Sequence, residues 1–296
     1  METGQMVGFI GLGVMGEPMC RNLAKKSGRK VLAFDMRPEP LQRLSRDGVE
    51  SAASIADLTS RCDIVLLSLP GEPQVREVVL GESGILASSR TGQTVVDCST
   101  APVTLAKELA EALATKGVEF VDAPVARTAQ AAVDGTLSIM VGGSTEAYER
   151  VQPLLACMGT EITHCGQVGA GQAVKLMNNM VVAQTVVAIA EALAVAHQSG
   201  AVDGKVLFET MAKSSSDSFV LRNHGMKSML PDIHPKEGAF PTTYILKDLS
   251  YALRLAEESG LDLASARTTQ RLLEQTRDMG YGDRYYTAVI KAIEGR

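Results

Sequence analysis

The stretch from Met6 to Gly16, Met-Val-Gly-Phe-Ile-Gly-Leu-Gly-Val-Met-Gly, limits what this chain can fold into more than any other. Val7, Phe9 and Ile10 read as a short buried strand. Gly11, Leu12, Gly13, Val14, Met15 and Gly16 then spell G-x-G-x-x-G ahead of a helical run from Glu17 to Ala24. The first glycine permits a tight turn, the second lets a pyrophosphate approach the backbone, and the third lets helix and strand pack closely. The helix start leaves N–H groups aimed at the phosphates. A second strand, Lys30 to Phe34, ends in Asp35, at about the 20-residue offset where a carboxylate meets the adenosine ribose hydroxyls. In a chain with 27 glycines the motif alone would also fit an ordinary turn. Strand, turn, helix, strand and acid in that order are what point to a dinucleotide site.

The rest of the first half supports a parallel sheet covered on both faces, because apolar strand candidates alternate with helical segments from Lys30 to Gly166. Helices are expected from Pro38 to Asp47, after Ser54, from Val103 to Lys116 and from Thr145 to Met158. Strands are expected at Asp63–Pro70, Gly92–Asp97, Val118–Asp122 and Gly135–Val141. Ligands in such sheets sit beyond the carboxyl ends of the strands. Leu69 and Pro70 should therefore wall the cofactor, and Ser99 and Thr100 should stand near nicotinamide and substrate, with a helix N-cap as the alternative duty for Thr100.

Gly166 to Gly171 has the small-residue density of a hinge, and the pattern changes beyond it. Gln172 to Gln198 reads as one helix, apolar nearly all round, a core helix with neighbours on every side. Further helices are expected at Asp203–Ala212, Leu246–Ser259 and Leu261–Met279. The fold class is thus α/β. A doubly wound, mostly parallel sheet spans residues 1–166, and an all-helical domain spans 167–296, entered through the long helix.

At its start stand Lys175, Asn178 and Asn179, spaced to share one helical face and point into the cleft between the domains. A lone lysine at a helix start could simply snorkel to water. Two amides beside it, just past a hinge, favour a site instead.

Composition narrows the classes. A net charge of −5, from 29 basic and 34 acidic residues, argues against nucleic acid as a partner. Met1 to Met6 lacks the layout of a secretory leader, and Asn178, Asn179, Gln184 and Glu191 interrupt the most apolar helix, so a cytoplasmic protein without a membrane span is expected. The five cysteines and four histidines show no metal-binding spacing, so buried free thiols and no metal are expected.

Several of these segments together resemble the β-hydroxyacid dehydrogenases: Val7 to Gly16, Asp97 to Thr100, Asp122 to Val125, Gly135-Thr-Leu with Gly142-Gly143, Gly169-Ala-Gly with Lys175 to Asn179, and Lys247-Asp248-Leu249. That family includes 3-hydroxyisobutyrate dehydrogenase and tartronate semialdehyde reductase, and the likeness covers nearly the whole chain. It implies Lys175 as the acid/base, Asn179 orienting the substrate, Ser99 and Thr100 touching substrate and nicotinamide, and Lys247 reaching the cofactor. An ammonium that donates a proton in reduction and takes it back in oxidation suits reversible hydride chemistry. Imine reductases and non-catalytic scaffolds of similar architecture generally lack that lysine.

One position departs from the family. Where many members carry Ser-Gly-Gly, this chain has Ala126, Arg127 and Thr128. A guanidinium can grip a tetrahedral or planar anion through paired charge-assisted bonds. The pair resembles that of the sulfolactaldehyde reductases within the family, which implies a substrate bearing a sulfonate or a second acidic group. A structural salt bridge is the alternative duty for Arg127. Asp35 favours NAD, and Arg37, two residues on, leaves NADP open. The apolar long helix suggests a homodimer or homotetramer.

Overall fold

The computed structural model describes residues 6–295. Residues 1–5, whose composition bears on a secretory leader, lie outside the described residues. The chain divides into two compact units, one ending at Lys175 and the other starting at Leu176.

The first unit is built on one nine-stranded sheet: β1 (Val7–Ile10), β2 (Val31–Phe34), β3 (Glu50–Ser51), β4 (Ile64–Leu67), β5 (Thr94–Asp97), β6 (Glu119–Asp122), β7 (Val125–Ala126), β8 (Leu137–Gly142) and β9 (Gly159–Gly166). Its order is β3-β2-β1-β4-β5-β6-β8-β7, with β9 pairing β8. The strands β1 to β6 run parallel, and β8 is antiparallel to β6. Helices α1 (Gly16–Lys26), α2 (Pro38–Ser45), α3 (Ile55–Arg61), α4 (Glu72–Leu80), α5 (Ile85–Ser88), α6 (Val103–Ala114), α7 (Ala129–Asp134) and α8 (Thr145–Leu155) connect them.

Alternation along each strand explains why both faces are covered. Val7, Phe9, Val31, Ala33, Ile64, Leu66 and Val96 enter one apolar cluster, while Ile10, Leu32, Val65, Leu67 and Val95 enter another. Strand order reverses between β1 and β4, and such a reversal opens a crevice at the strand ends.

Strand β9 was not anticipated. Its sequence, Gly-Thr-Glu-Ile-Thr-His-Cys-Gly, is largely polar and mostly unburied, so it carries no apolar run. Pairing along β8 is what makes it a strand. The two-residue β3 and β7 are likewise strands by their pairing, with β2 and β8 respectively.

Helix α9 (Ala170–Ser199) crosses from one unit to the next. The division falls inside it, nine residues past the expected domain boundary at 166. The expectation of neighbours on every side fails: Val174, Val181 and Val195 are exposed on one face, while Ala183, Val186, Ile189, Ala190 and Leu193 enter the core of the second unit. By length and hydropathy alone α9 could cross a bilayer. That buried face is spent on protein instead.

The second unit adds α10 (Gly204–Met211), α11 (Thr242–Glu258), α12 (Ala264–Thr276) and α13 (Val289–Glu294), with a π-helical segment at Leu221–Met229. Helix α11 begins just after Pro241, which serves as its N-cap, four residues before the expected start. Helix α12 passes directly into a π-helical turn, Arg277–Tyr281, inside which Gly280 at φ +94° breaks the helical backbone.

Candidate active site

The glycine loop divides its labour as the motif requires. Gly11 has φ +92°, and a Cβ there or on Gly16 would collide with backbone carbonyl oxygens, of Ser68 and Gly11 respectively. Around Gly13 a Cβ would meet nothing within 4 Å. The middle glycine therefore keeps open a space that no protein atom uses, at the start of α1, whose N-cap, Met15, supplies no side-chain cap. Val14 is exposed beside it. An uncapped helix start facing an open cradle fits a pyrophosphate.

Asp35 follows β2 as expected, and its carboxylate is already engaged. Oδ2 accepts the Leu12 N–H at 2.6 Å, and Oδ1 accepts the Arg37 N–H at 2.9 Å and its Nε at 3.2 Å. Burial opposes ionisation, but the N–H groups of Arg37 and Leu12, with the Arg37 guanidinium, hold the carboxyl below its usual range. Arg37 also donates to the Leu12 carbonyl at 3.2 Å. Its cation thus stands beside the carboxylate that would read the ribose, which suits either NAD or NADP.

At the ends of β4 and β5, the Leu69 N–H donates to the Ser99 hydroxyl at 2.9 Å, and the Ser99 N–H donates to Asp97 at 2.9 Å. Ser99 is buried and Thr100 half-buried. Pro70 is exposed at the rim. Pro102, two residues past Thr100, is the N-cap of α6.

The Arg127 loop differs from a simple clamp. Arg127 is exposed, has φ +88°, and its Nη1 donates to the Thr136 carbonyl at 2.6 Å. A carbonyl leaves the guanidinium charge uncompensated, so this bond is not the salt bridge considered as its alternative duty. Thr128 is the N-cap of α7, its hydroxyl accepting the Ala131 N–H at 3.3 Å, a duty the sequence reading missed.

Lys175 lies in the second turn of α9 and is 8% exposed, so it does not snorkel to bulk water. Two residues that hold the turn before it were given no site role from sequence. Gln172 donates to the Ser99 carbonyl at 2.8 Å and accepts the Ala101 N–H at 3.1 Å. Asp122, at the end of β6, accepts the N–H groups of Gly169 at 2.6 Å and Gln172 at 2.8 Å. A polar residue three positions before Lys175 on an otherwise apolar helix was the available signal for Gln172.

The second unit holds its own polar cluster. Asn179 is buried and donates to Asp248 at 2.6 Å, while exposed Asn178 donates to the Asn179 side-chain oxygen Oδ1 at 3.0 Å. The expectation that Asn178 and Asn179 face one space together is met only by their mutual bond. Lys247 lies 3.2 Å from Asp248, with its ammonium 5.7 Å and 5.5 Å from the ring centres of Tyr244 and Tyr251. A shallow surface groove lined by Glu191, Val195, Gln198, Ile293 and Glu294 shares no residue with these groups. Cys20, Cys62, Cys98 and Cys157 are buried free thiols, and Cys165 is partly exposed.

Comparison with known proteins follows the same division. Residues 6–166 match the NAD binding domain of 6-phosphogluconate dehydrogenase, and residues 169–293 match the NAD-binding domain of NADP-dependent 3-hydroxyisobutyrate dehydrogenase. The chain is 34% identical over 294 residues to 2-(hydroxymethyl)glutarate dehydrogenase of Eubacterium barkeri, covering 99% of this chain and 96% of that one. It is 35% identical over 288 residues to 2-hydroxy-3-oxopropionate reductase of Escherichia coli, covering 97% of each. A solved structure of Mycobacterium tuberculosis 3-hydroxyisobutyrate dehydrogenase with L-serine superposes with a TM-score of 0.88 at 30% identity, over 98% of this chain and 99% of the other.

Proposed function

Because the chain belongs to the β-hydroxyacid dehydrogenase family, NAD(P)-dependent enzymes acting on CH–OH groups, we propose that it interconverts a short anionic β-hydroxyacid and its semialdehyde, with Lys175 as the acid/base. The observation that carries this reading is the burial of Lys175, one turn after a stretch of α9 tied to the strand ends. The nicotinamide cofactor, when bound, gives or takes the hydride. Gly11, Gly13, Gly16 and the start of α1 hold its pyrophosphate, and Asp35 with Arg37 reads its ribose. Lys175 protonates the substrate oxygen as negative charge develops on it, and removes that proton in the reverse direction. Thr100 lines the reacting end, Asn179 orients the substrate, and Lys247 supports the cofactor.

For the substrate, the reading is a molecule with a second anionic group. Arg127 replaces the small residues of many relatives, and its Nη1 bonds a backbone carbonyl and not a carboxylate. 3-Sulfolactaldehyde, with its sulfonate, is the first choice. The Eubacterium relative, named for a dicarboxylate, makes the same charge pattern reasonable. 3-Hydroxyisobutyrate and 2-hydroxy-3-oxopropionate are the second reading, favoured by the overall identity to enzymes named for them.

The protein is further read as a cytoplasmic homodimer or homotetramer. Val174, Val181, Ala188 and Val195, seven apart and exposed on α9, support self-association. Sedimentation showing only monomer overturns that part.

The deciding experiment is a spectrophotometric panel with NADH and NADPH or their oxidised forms. It covers 3-sulfolactaldehyde, 2-hydroxy-3-oxopropionate, 3-hydroxyisobutyrate, 2-(hydroxymethyl)glutarate and L-serine, each repeated with Lys175→Met. Activity on at least one substrate, reduced about 10²–10⁴-fold in the variant while NADH still binds, is expected. Full activity in Lys175→Met removes the lysine from the mechanism.

A further inference from the structure

Gln172 is 0% exposed, and both ends of its amide are used on backbone to either side of one residue: the Ser99 carbonyl before Thr100 and the Ala101 N–H after it. A buried glutamine is costly unless both ends are satisfied, and here the two bonds make the side chain a clamp on the Thr100 loop. The same residue's backbone N–H is held from the other side by Asp122, also 0% exposed. Gly169 N–H, at 2.6 Å, shares the same carboxylate. These are N–H groups at the start of α9 that the helix itself cannot pair, and a carboxylate at that end also meets the positive pole of the helix dipole.

The approach is possible only because of glycines. A Cβ on Gly142 or on Gly171 would run into the Asp122 carboxylate. Burial pushes the Asp122 carboxyl up to about 6, and the N–H groups of Gly169, Gln172 and Gly171 pull the other way. A carboxylate kept where desolvation opposes its charge is poorly explained as a source of stability.

We propose that Gln172 and Asp122 are positioning residues that brace the first turn of α9 against the Thr100 loop and so fix where the Lys175 ammonium stands. Lys175 follows Gln172 by three residues, on a neighbouring line of the same helix, so movement of that turn moves the ammonium with it. The inference rests on the reading of Lys175 as acid/base, and its test is built so that the two can fail separately.

Gln172→Met keeps length and volume but removes both bonds; Asp122→Asn turns one acceptor into a donor facing an N–H group. Each variant of the whole chain is labelled with trace acetic anhydride. Acetylation at Lys175 is then measured by peptide mass spectrometry against exposed Lys205 on α10. NADH affinity is followed by fluorescence. Labelling of Lys175 relative to Lys205 should rise severalfold in both variants with NADH affinity unchanged. With the substrate found by the panel, kcat should fall about a hundredfold and KM little, as expected for an ångström-scale misplacement.

Gln172→Glu supplies the rescue: it still accepts the Ala101 N–H, and it regains the donor to Ser99 only when protonated. Its Lys175 labelling ratio should therefore return toward that of the wild type as pH falls. Should Gln172→Met not fold, this pH series decides. Unchanged Lys175 labelling in a variant that binds NADH, or a Glu variant indifferent to pH, overturns the brace. If labelling responds but Lys175→Met stays active, the catalytic reading fails and with it the purpose of the brace, while the brace geometry stands.

Discussion

The backbone N–H of Leu12 donates to the carboxylate of Asp35 at 2.6 Å, so the acid that ends β2 is also a strut for the glycine loop that follows β1. Arg37 lies across the same carboxylate, 3.2 Å from Oδ1 through Nε. The charge presented to a ribose is therefore that of a pair. Removing the cation in Arg37→Ala should lower kcat/KM for NADPH relative to NADH by about tenfold, the effect of one lost charge-assisted bond. A ratio that does not move means Arg37 makes no contact with a 2′-phosphate.

The two outer positions of the glycine loop and the middle one should separate folding from binding. In Gly16→Ala the new methyl meets the Gly11 carbonyl, and overpacking of this kind costs about 1–3 kcal/mol. In Gly13→Ala the methyl meets no protein atom, so the melting temperature should hold while NADH affinity drops by about tenfold or more. Thermal melts and fluorescence titrations of the two variants check this, and equal NADH binding by Gly13→Ala and wild type would remove the pyrophosphate from that space.

Arg127 occupies a backbone conformation that glycine takes more readily, at φ +88°. Arg127→Gly should relieve about 1 kcal/mol of backbone cost and lose a surface bond of similar worth, leaving stability nearly unchanged. Selectivity should change instead: kcat/KM for 3-sulfolactaldehyde should fall about tenfold or more relative to 3-hydroxyisobutyrate, as one charged hydrogen bond is lost. If both substrates respond alike, the guanidinium does not read the second anion.

In the second unit His224 sits among Tyr285, Tyr286 and Phe219, with the Tyr285 hydroxyl bonded to its Nδ1. Burial lowers its pKa from 6.5 to about 4. The unfolded chain therefore takes up a proton near pH 6.5 that the folded chain resists until about 4. Stability present above pH 6.5 is lost as pH falls through that window, by about 3 kcal/mol in full. Urea melts from pH 7.5 to 4.5 should show His224→Gln losing less stability with acid than wild type. Asp122 has a raised pKa and opposes this trend, but it is common to both proteins and cancels in the difference. Parallel pH curves would show that His224 titrates freely.

How legible each part was depends on how local its cause is. The parallel strands β1, β2, β4, β5 and β6 were readable because apolar runs bounded by turn residues depend only on neighbours in sequence. The polar β9 was not, since it exists by pairing with β8. Lys175 could be singled out because lysine on an apolar helix is costly wherever that helix lies. That the Thr128 hydroxyl also caps α7 was not legible, because the short alanine-rich sequence of that helix gave no periodic signal.

The sequence by itself determined the class of fold, the glycine cradle with its acid at the end of the second strand, and the family. Each follows from residue type and spacing along the chain. Only the tertiary structure decided that Asp122 and Gln172 bond the first turn of α9, that Arg37 reaches back to the Leu12 carbonyl, and that α9 leaves one apolar face open. Those facts are hydrogen bonds and packing between segments 25 to 70 or so residues apart, and such pairings are fixed by the folded backbone, not by any local pattern.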